Sequence, residues 1–273
     1  HYEAHIEHVY TDENGMSPEA LEEAIHDMKR AGKTIKFLYL VPNFANPSGV
    51  TLSAERRPRI LEICKRNHIL VIEDNPYGLL YFNEPVPAAM RSMDDEGVVY
   101  LGSFSKILAP GFRVGYVLAP PAIRDKLVLA QESALLCPSS FSQMLISEFL
   151  AKADWKGQIN TFRGVYKERK DAALTAMHDF LPGVETTQPD GGFYLWLTLP
   201  EGIDSKAMLP LAVKELVAYT PGTAFFGDGT GQKNLRICYS FPTPENIRVG
   251  IKRLANVINL QTELLDTFSS KAH

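Results

Sequence analysis

Three continuous apolar runs, Phe37 to Val41, Ile69 to Ile72 and Val98 to Leu101, constrain this chain more than any other feature. Apolar runs without alternation, separated by helix-like segments, indicate parallel strands covered on both faces. Ser17-Pro18-Glu19 reads as an N-cap with proline at the first helical position. Leu21, Ile25 and Met28 then form one apolar stripe, and Gly32 offers a C-terminal stop. A second helix directs Ile60, Leu61, Ile63 and Cys64 inward. Pro58 conflicts with a start at Ser53, so this helix is expected to begin near Pro58. Each apolar run ends in a polar cluster: Pro42 to Gly49, Glu73-Asp74-Asn75-Pro76-Tyr77, and Gly102-Ser103-Phe104-Ser105-Lys106. Ligands of parallel sheets bind beyond the carboxyl ends of the strands, which is where all three clusters fall.

Past about residue 125 the pattern changes. Helical stretches at Arg124 to Leu136, Phe141 to Lys152 and Phe162 to Phe180 lead into alternating strands. Phe193, Leu195, Leu197 and Leu199 point one way while Tyr194, Trp196 and Thr198 point the other, and Leu235, Ile237 and Tyr239 alternate likewise with Arg236, Cys238 and Ser240. Thr243-Pro244-Glu245 caps a last helix bearing Ile247, Ile251, Leu254 and Ile258. This half reads as a smaller α+β domain. At 273 residues the chain has room for two ordinary domains, placed at 1–160 and 161–273.

Composition removes several classes of function. A hydrophobic fraction of 45% with 22% charged residues excludes a disordered chain or a rod. Lys+Arg 28 against Asp+Glu 32 leaves a net charge of -4, which supplies no footprint for nucleic acid. The longest charge-free stretch, Phe37 to Ala54, holds two prolines, so no membrane span is expected. Cys64, Cys137 and Cys238 are too widely spaced for a disulfide framework, and a cytoplasmic home is the simplest expectation. The histidines show no metal-ligand spacing, with His5 and His8 expected at a strand edge. The glycines around Gly227 to Gly231 read as a turn between strands, and Tyr194 and Trp196 as ordinary sheet packing.

Asn46-Pro47-Ser48-Gly49, Asp74-Asn75-Pro76-Tyr77, Ser103-Phe104-Ser105-Lys106 with Pro110-Gly111-Phe112-Arg113, and Asn234-Leu235-Arg236-Ile237 occur in that order. Together they resemble the pyridoxal-phosphate (PLP) aminotransferases of classes I and II. Val41-Pro42-Asn43-Phe44 and the run Gly102 to Pro120 look most like the branch containing 2-aminoadipate and kynurenine aminotransferases. The resemblance implies an α/β fold of type I, with a mostly parallel large-domain sheet and the smaller α+β domain. It also implies a homodimer and transamination between an L-amino acid and a 2-oxo acid by a ping-pong mechanism.

The resemblance assigns roles residue by residue. Lys106 forms the internal aldimine with PLP and shuttles the substrate Cα proton, chemistry open to a lysine amine whose charged form burial disfavours. Ser103, Ser105 and Arg113 hold the phosphate with short donors and one planar fork. Asp74 pairs with the pyridine nitrogen, keeping it protonated so that the ring accepts the electron pair released at Cα. Tyr77 donates to the 3′-oxygen, and Asn46 reaches that oxygen or the substrate carboxylate. Arg236 binds the substrate α-carboxylate as a bidentate fork.

The same comparison implies about a third more chain ahead of His1 in family members, including part of the phosphate cradle, the ring-stacking aromatic residue and strands of the central sheet. The sheet is therefore expected to be incomplete, with an uncovered edge near Val114 to Ala119. Two other readings use the same lysine: a PLP-sensing effector domain of a winged-helix transcriptional regulator, and a PLP enzyme of β-elimination or racemisation.

Overall fold

The computed structural model describes residues 5–270 of the chain. Its helices and strands, in chain order, are β1 (Thr11–Asp12), β2 (Gly15–Met16), α1 (Pro18–Arg30), β3 (Phe37–Leu40), α2 (Arg56–Arg66), β4 (Leu70–Asp74), β5 (Val98–Ser103) and β6 (Gly115–Leu118). Then follow α3 (Pro121–Leu135), α4 (Ser140–Lys152), α5 (Trp155–Phe180), β7 (Glu185–Thr186), β8 (Tyr194–Thr198), α6 (Ser205–Lys214), β9 (Thr220–Pro221), β10 (Asn234–Cys238) and α7 (Pro244–Ser270). The chain divides into two compact units. One comprises Val9–Ala45 and Val50–Arg163; the other gathers residues 5–8, Asn46–Gly49 and Gly164 onward.

The first unit is built on a four-stranded sheet of order β3-β4-β5-β6. The three apolar runs form β3, β4 and β5, which pair in parallel, while β6 runs antiparallel to β5. Local signals position the covering helices. Ser17 caps α1 by accepting from the Ala20 amide. At its other end Gly32 takes φ +68°, with bonds from the Gly32 amide to Lys29 and from the Lys33 amide to Met28. That pairing is the Schellman closure glycine permits. α2 begins at Arg56, two residues before Pro58 and close to the expected start. The proline conflicts with nothing there, because the first four amides of a helix have no intrahelical acceptor. Leu21 and Ile25 of α1, and Ile60, Leu61, Ile63 and Cys64 of α2, pack with Leu40, Val71 and Val98 into one core.

One sequence expectation fails here. β3 is not covered on both faces among the described residues, whereas in β5 the adjacent Val98 and Val99, which point to opposite faces, are both buried. Phe37 and Tyr39 alternate with the more buried Leu38 and Leu40, and every residue of β6 is exposed. Helices α1 and α2 supply core partners for one side-chain set of β3 and β4, and the other set stays half open. The expected uncovered edge is β6, which has one neighbour in the sheet. Gly102 lets the Tyr116 ring of β6 lie close over β5, since a Cβ there would stand 2.2 Å from that ring.

Two buried charges tie the strand ends to their surroundings. Arg57 is fully buried, and its guanidinium donates to the carbonyls of Leu52, Pro87 and Ala88 and, at 2.7 Å, to Asn43 Oδ1. Glu73, also fully buried, accepts from the Met90 and Arg91 amides at the start of a 3-10 turn. Arg56 grips both oxygens of Asp12, at 2.6 and 2.7 Å, and so fixes the β1–β2 hairpin to α2.

The second unit carries an antiparallel sheet of order β7-β8-β10-β9. Its core residues follow the alternation read from the sequence. Leu195, Leu197, Leu235 and Tyr239 are buried, as are Ile247, Ile251, Leu254 and Ile258 of α7. Thr243 caps that helix by accepting from the Asn246 amide. His8 lies outside any strand, contrary to the strand-edge expectation. Its Nε2 accepts from the Gly227 amide and its ring packs on Phe226 at 5.2 Å. His5 is likewise outside a strand, and its Nε2 lies 3.3 Å from Glu7 Oε2.

Removing Arg57 tests this arrangement. Arg57→Leu strands several buried acceptors at once, each costing about 1–3 kcal/mol, and takes the positive neighbour from Glu73. Urea unfolding should show a loss of about 3 kcal/mol or more with an unchanged m-value. A loss below about 1 kcal/mol would mean the network carries little of the stability.

Candidate active site

Because β3, β4 and β5 are parallel, their carboxyl ends lie along one edge of the sheet, and the residues there come into reach of one another. Asp74 is the last residue of β4 and Ser103 the last of β5. Tyr77 follows in the turn after β4 and is buried. Ser105 and Lys106 sit in the turn after β5, where Ser103 Oγ accepts from the Ser105 amide at 3.1 Å. This bond draws the turn back over the strand end. Lys106 is half-buried, and its amine has no hydrogen-bond or ion-pair partner among the described residues. Arg113 is exposed and holds a left-handed φ of +54° after the 3-10 turn Pro110–Phe112. Its backbone is thus turned in a way side chains other than glycine rarely adopt.

The carboxylate of Asp74 is not alone. Tyr39 OH donates to Asp74 Oδ2 at 2.6 Å, and burial followed by this bond pushes the phenol's ionisation above its ordinary value. Next door, Asn75 Oδ1 accepts from Asn43 Nδ2 and from the Gly78 amide, while Asn75 Nδ2 donates to Tyr100. Asn43 is in turn held by Arg57. A chain of polar side chains therefore runs from the buried guanidinium to the turn carrying Asp74 and Tyr77. The sequence reading gave no role to Tyr39, Asn43, Asn75 or Arg57. Asn43 and Asn75 stand inside quoted motifs, but the contacts of all four depend on how neighbouring strands and loops come together.

The second unit brings together two residues 190 positions apart in sequence, since Arg236 Nη1 donates to Asn46 Oδ1. Both belong to the set expected from the motifs. Arg236 lies on β10 opposite Trp196 of β8 and Thr220 of β9. Its Nη2 donates to Thr220 Oγ1, and its guanidinium lies 4.2 Å from the centre of the Tyr194 ring and 5.0 Å from that of Phe225. Stacking on aromatic faces suits the delocalised cation. Its Nε is buried with no hydrogen-bond partner among the described residues. Gly49 seats Asn46 here. Its φ is +72°, and a Cβ would stand 2.8 Å from the Tyr194 carbonyl, so only glycine lets the Asn46–Gly49 segment approach β8 this closely. The packing role expected for Tyr194 and Trp196 needs one addition: Tyr194 is also a platform for Arg236, while Trp196 packs nearly perpendicular to Phe225, the second ring near that cation.

Among the described residues no helix is long and apolar enough to cross a membrane, and no cluster of three or more His, Cys, Asp or Glu could hold a metal ion.

Comparison with known proteins places these features in a family. Residues 3–254 match the sequence profile of aminotransferase class I and II. The aromatic-amino-acid aminotransferase 1 of Thermococcus litoralis is 43% identical over 261 residues, covering 94% of this chain and 62% of the relative. The 2-aminoadipate transaminase of Thermus thermophilus is 37% identical over 251 residues, covering 90% and 62%. Among solved structures, the kynurenine aminotransferase of Pyrococcus horikoshii superposes with a TM-score of 0.89 at 40% identity, covering 93% of this chain and 63% of that one. The chain thus spans less than two thirds of the length of these relatives, and its fold is the type I α/β fold they share. With its motifs, its sheet and its matched length in agreement, the chain belongs to the class I and II aminotransferase family.

Proposed function

We propose that the protein is a PLP-dependent aminotransferase that moves an amino group between an L-amino acid and a 2-oxo acid. One observation carries this reading: a half-buried Lys106 amine, with no partner among the described residues, shares a parallel-sheet edge with the Asp74 carboxylate. The donor set fits the cofactor. An amine suits an aldehyde, a carboxylate suits a protonated ring nitrogen, and hydroxyls with a guanidinium suit a phosphate. In this reading Lys106 holds the cofactor and carries the proton at the substrate Cα. Asp74 keeps the ring nitrogen protonated, Tyr77 donates to the 3′-oxygen, and Ser103, Ser105 and Arg113 hold the phosphate. Bound PLP supplies an electron sink for the pair left when the Cα–H bond breaks.

Substrate binding falls to the second unit. Arg236 receives the α-carboxylate on the terminal hydrogens that Asn46 and Thr220 leave unused. Asn46 accepts from the guanidinium through its carbonyl oxygen, so its amide is available to the same carboxylate. The aromatic faces of Tyr194 and Phe225 keep the fork planar and shield it from water.

The cofactor-binding domain in this proposal is residues 1–160, and the small domain is residues 161–273. The protein works in the cytoplasm as a homodimer. Support comes from α3, which buries none of its side chains and exposes Leu127, Val128, Leu129 and Leu135, an apolar surface that calls for a partner. The three cysteines are free thiols, as suits a reducing compartment.

Two substitutions separate the roles. In the full-length protein Asp74→Asn should retain PLP but slow the half-reaction with an amino acid by about 100-fold or more, at about 1.4 kcal/mol per tenfold. Single-turnover absorbance measures this, and near-normal rates would reduce Asp74 to a turn residue. Arg236→Lys keeps the charge and loses the fork. It should weaken 2-oxo-acid binding about tenfold or more in calorimetry, since a charge-assisted bond is worth roughly 1.5–3 kcal/mol. Unchanged affinity would remove the carboxylate from Arg236. Tight PLP without amino transfer from any amino acid would favour the sensor domain of a regulator.

A further inference from the structure

Tyr39 has no part in the scheme above, yet it touches the carboxylate on which that scheme depends. On β3 it pairs in register with Ile72 of β4. Alternation therefore puts its side chain on the same sheet face as Ile72 and Asp74, one strand across and one side-chain position short of the carboxylate. The phenol spans that diagonal, and its hydroxyl reaches Asp74 Oδ2 at 2.6 Å. This is the short length of an O–H bond to an ionised oxygen. The ring itself is half exposed, like that of Phe37 on the same face, so the contact is not the by-product of a packed core.

We propose that Tyr39 is a positioning residue for Asp74: its hydroxyl pins Oδ2 and so presents Oδ1 to the cofactor's ring nitrogen. The proposal rests on the role given to Asp74 under Proposed function. A carboxylate at a strand end turns about two side-chain torsions, and a single short bond to one oxygen removes most of that freedom. The phenol also takes a share of the carboxylate's negative charge. Asp74 then meets the ring nitrogen with a graded pull that the tyrosine sets.

The test uses full-length protein loaded with PLP carrying 15N at the ring nitrogen, in wild type, Tyr39→Phe and Asp74→Asn. The ring-nitrogen chemical shift and the PLP dissociation constant are read for each. Wild type should give a protonated-pyridinium shift, and Asp74→Asn a shift displaced toward free pyridine. Tyr39→Phe should fall between them, with affinity lowered roughly two- to tenfold, the range of one hydrogen bond. If Asp74→Asn matches wild type, the role of Asp74 fails and the proposal falls with it. If Asp74→Asn is displaced while Tyr39→Phe matches wild type in shift and affinity, the role of Tyr39 alone is overturned. A second measurement leaves Tyr39 itself intact. In cofactor-free protein with 13Cζ-labelled tyrosine, Asp74→Asn should move the Tyr39 signal, and an unmoved signal would show that the phenol does not engage Asp74.

Discussion

A guanidinium sealed from water can persist only if every side of it is met by acceptors, and Arg57 meets that condition by drawing together segments that are distant in sequence. Its donors reach Leu52, Pro87, Ala88 and Asn43, so the turn leaving β3, the start of α2 and the segment before the 3-10 turn all converge on one side chain. Glu73 does the same from the neighbouring strand by capping that 3-10 turn. The shape of the strand ends follows from the satisfaction of these two charges. Apolar packing beneath them supplies the bulk of the driving force but no such directionality.

From Arg57 the constraint passes outward through hydrogen bonds. Asn43 hands it to Asn75, and Asn75 holds the Gly78 amide and the Tyr100 hydroxyl. Asp74 and Tyr77 sit on that braced turn, with Tyr39 holding the carboxylate from the next strand. In the second unit the brace is different. Arg236 is clamped by Asn46 and Thr220 and lies over aromatic rings, and its Nε has no partner among the described residues. Both arrangements restrict these side chains to few orientations, as a site that is to act on a ligand requires.

Much of this was legible in the sequence for identifiable reasons. The parallel strands could be read because their apolar runs end abruptly in polar clusters, and α1 because Ser17-Pro18 and Gly32 mark its ends chemically. Arg236 was legible through alternation with Leu235 and Ile237, which placed it off the core face. Tyr39 was hidden inside an apolar run, where nothing local separates a tyrosine facing a core from one reaching a carboxylate one strand over. Arg57 looked like one more charge in an arginine-rich helix start, and its burial depends on loops 30 residues away. The open face of β3 was misread because a continuous apolar run reports the strand's preference for cover, and says nothing of which residues provide it.

Lys106 is the residue proposed to carry the cofactor. Borohydride reduction of PLP-loaded full-length protein, followed by peptide mass mapping, tests this directly. A pyridoxyl group on the peptide holding Lys106, absent from Lys106→Ala, is the expected result. A pyridoxyl group on any other lysine, or none after loading, would contradict it.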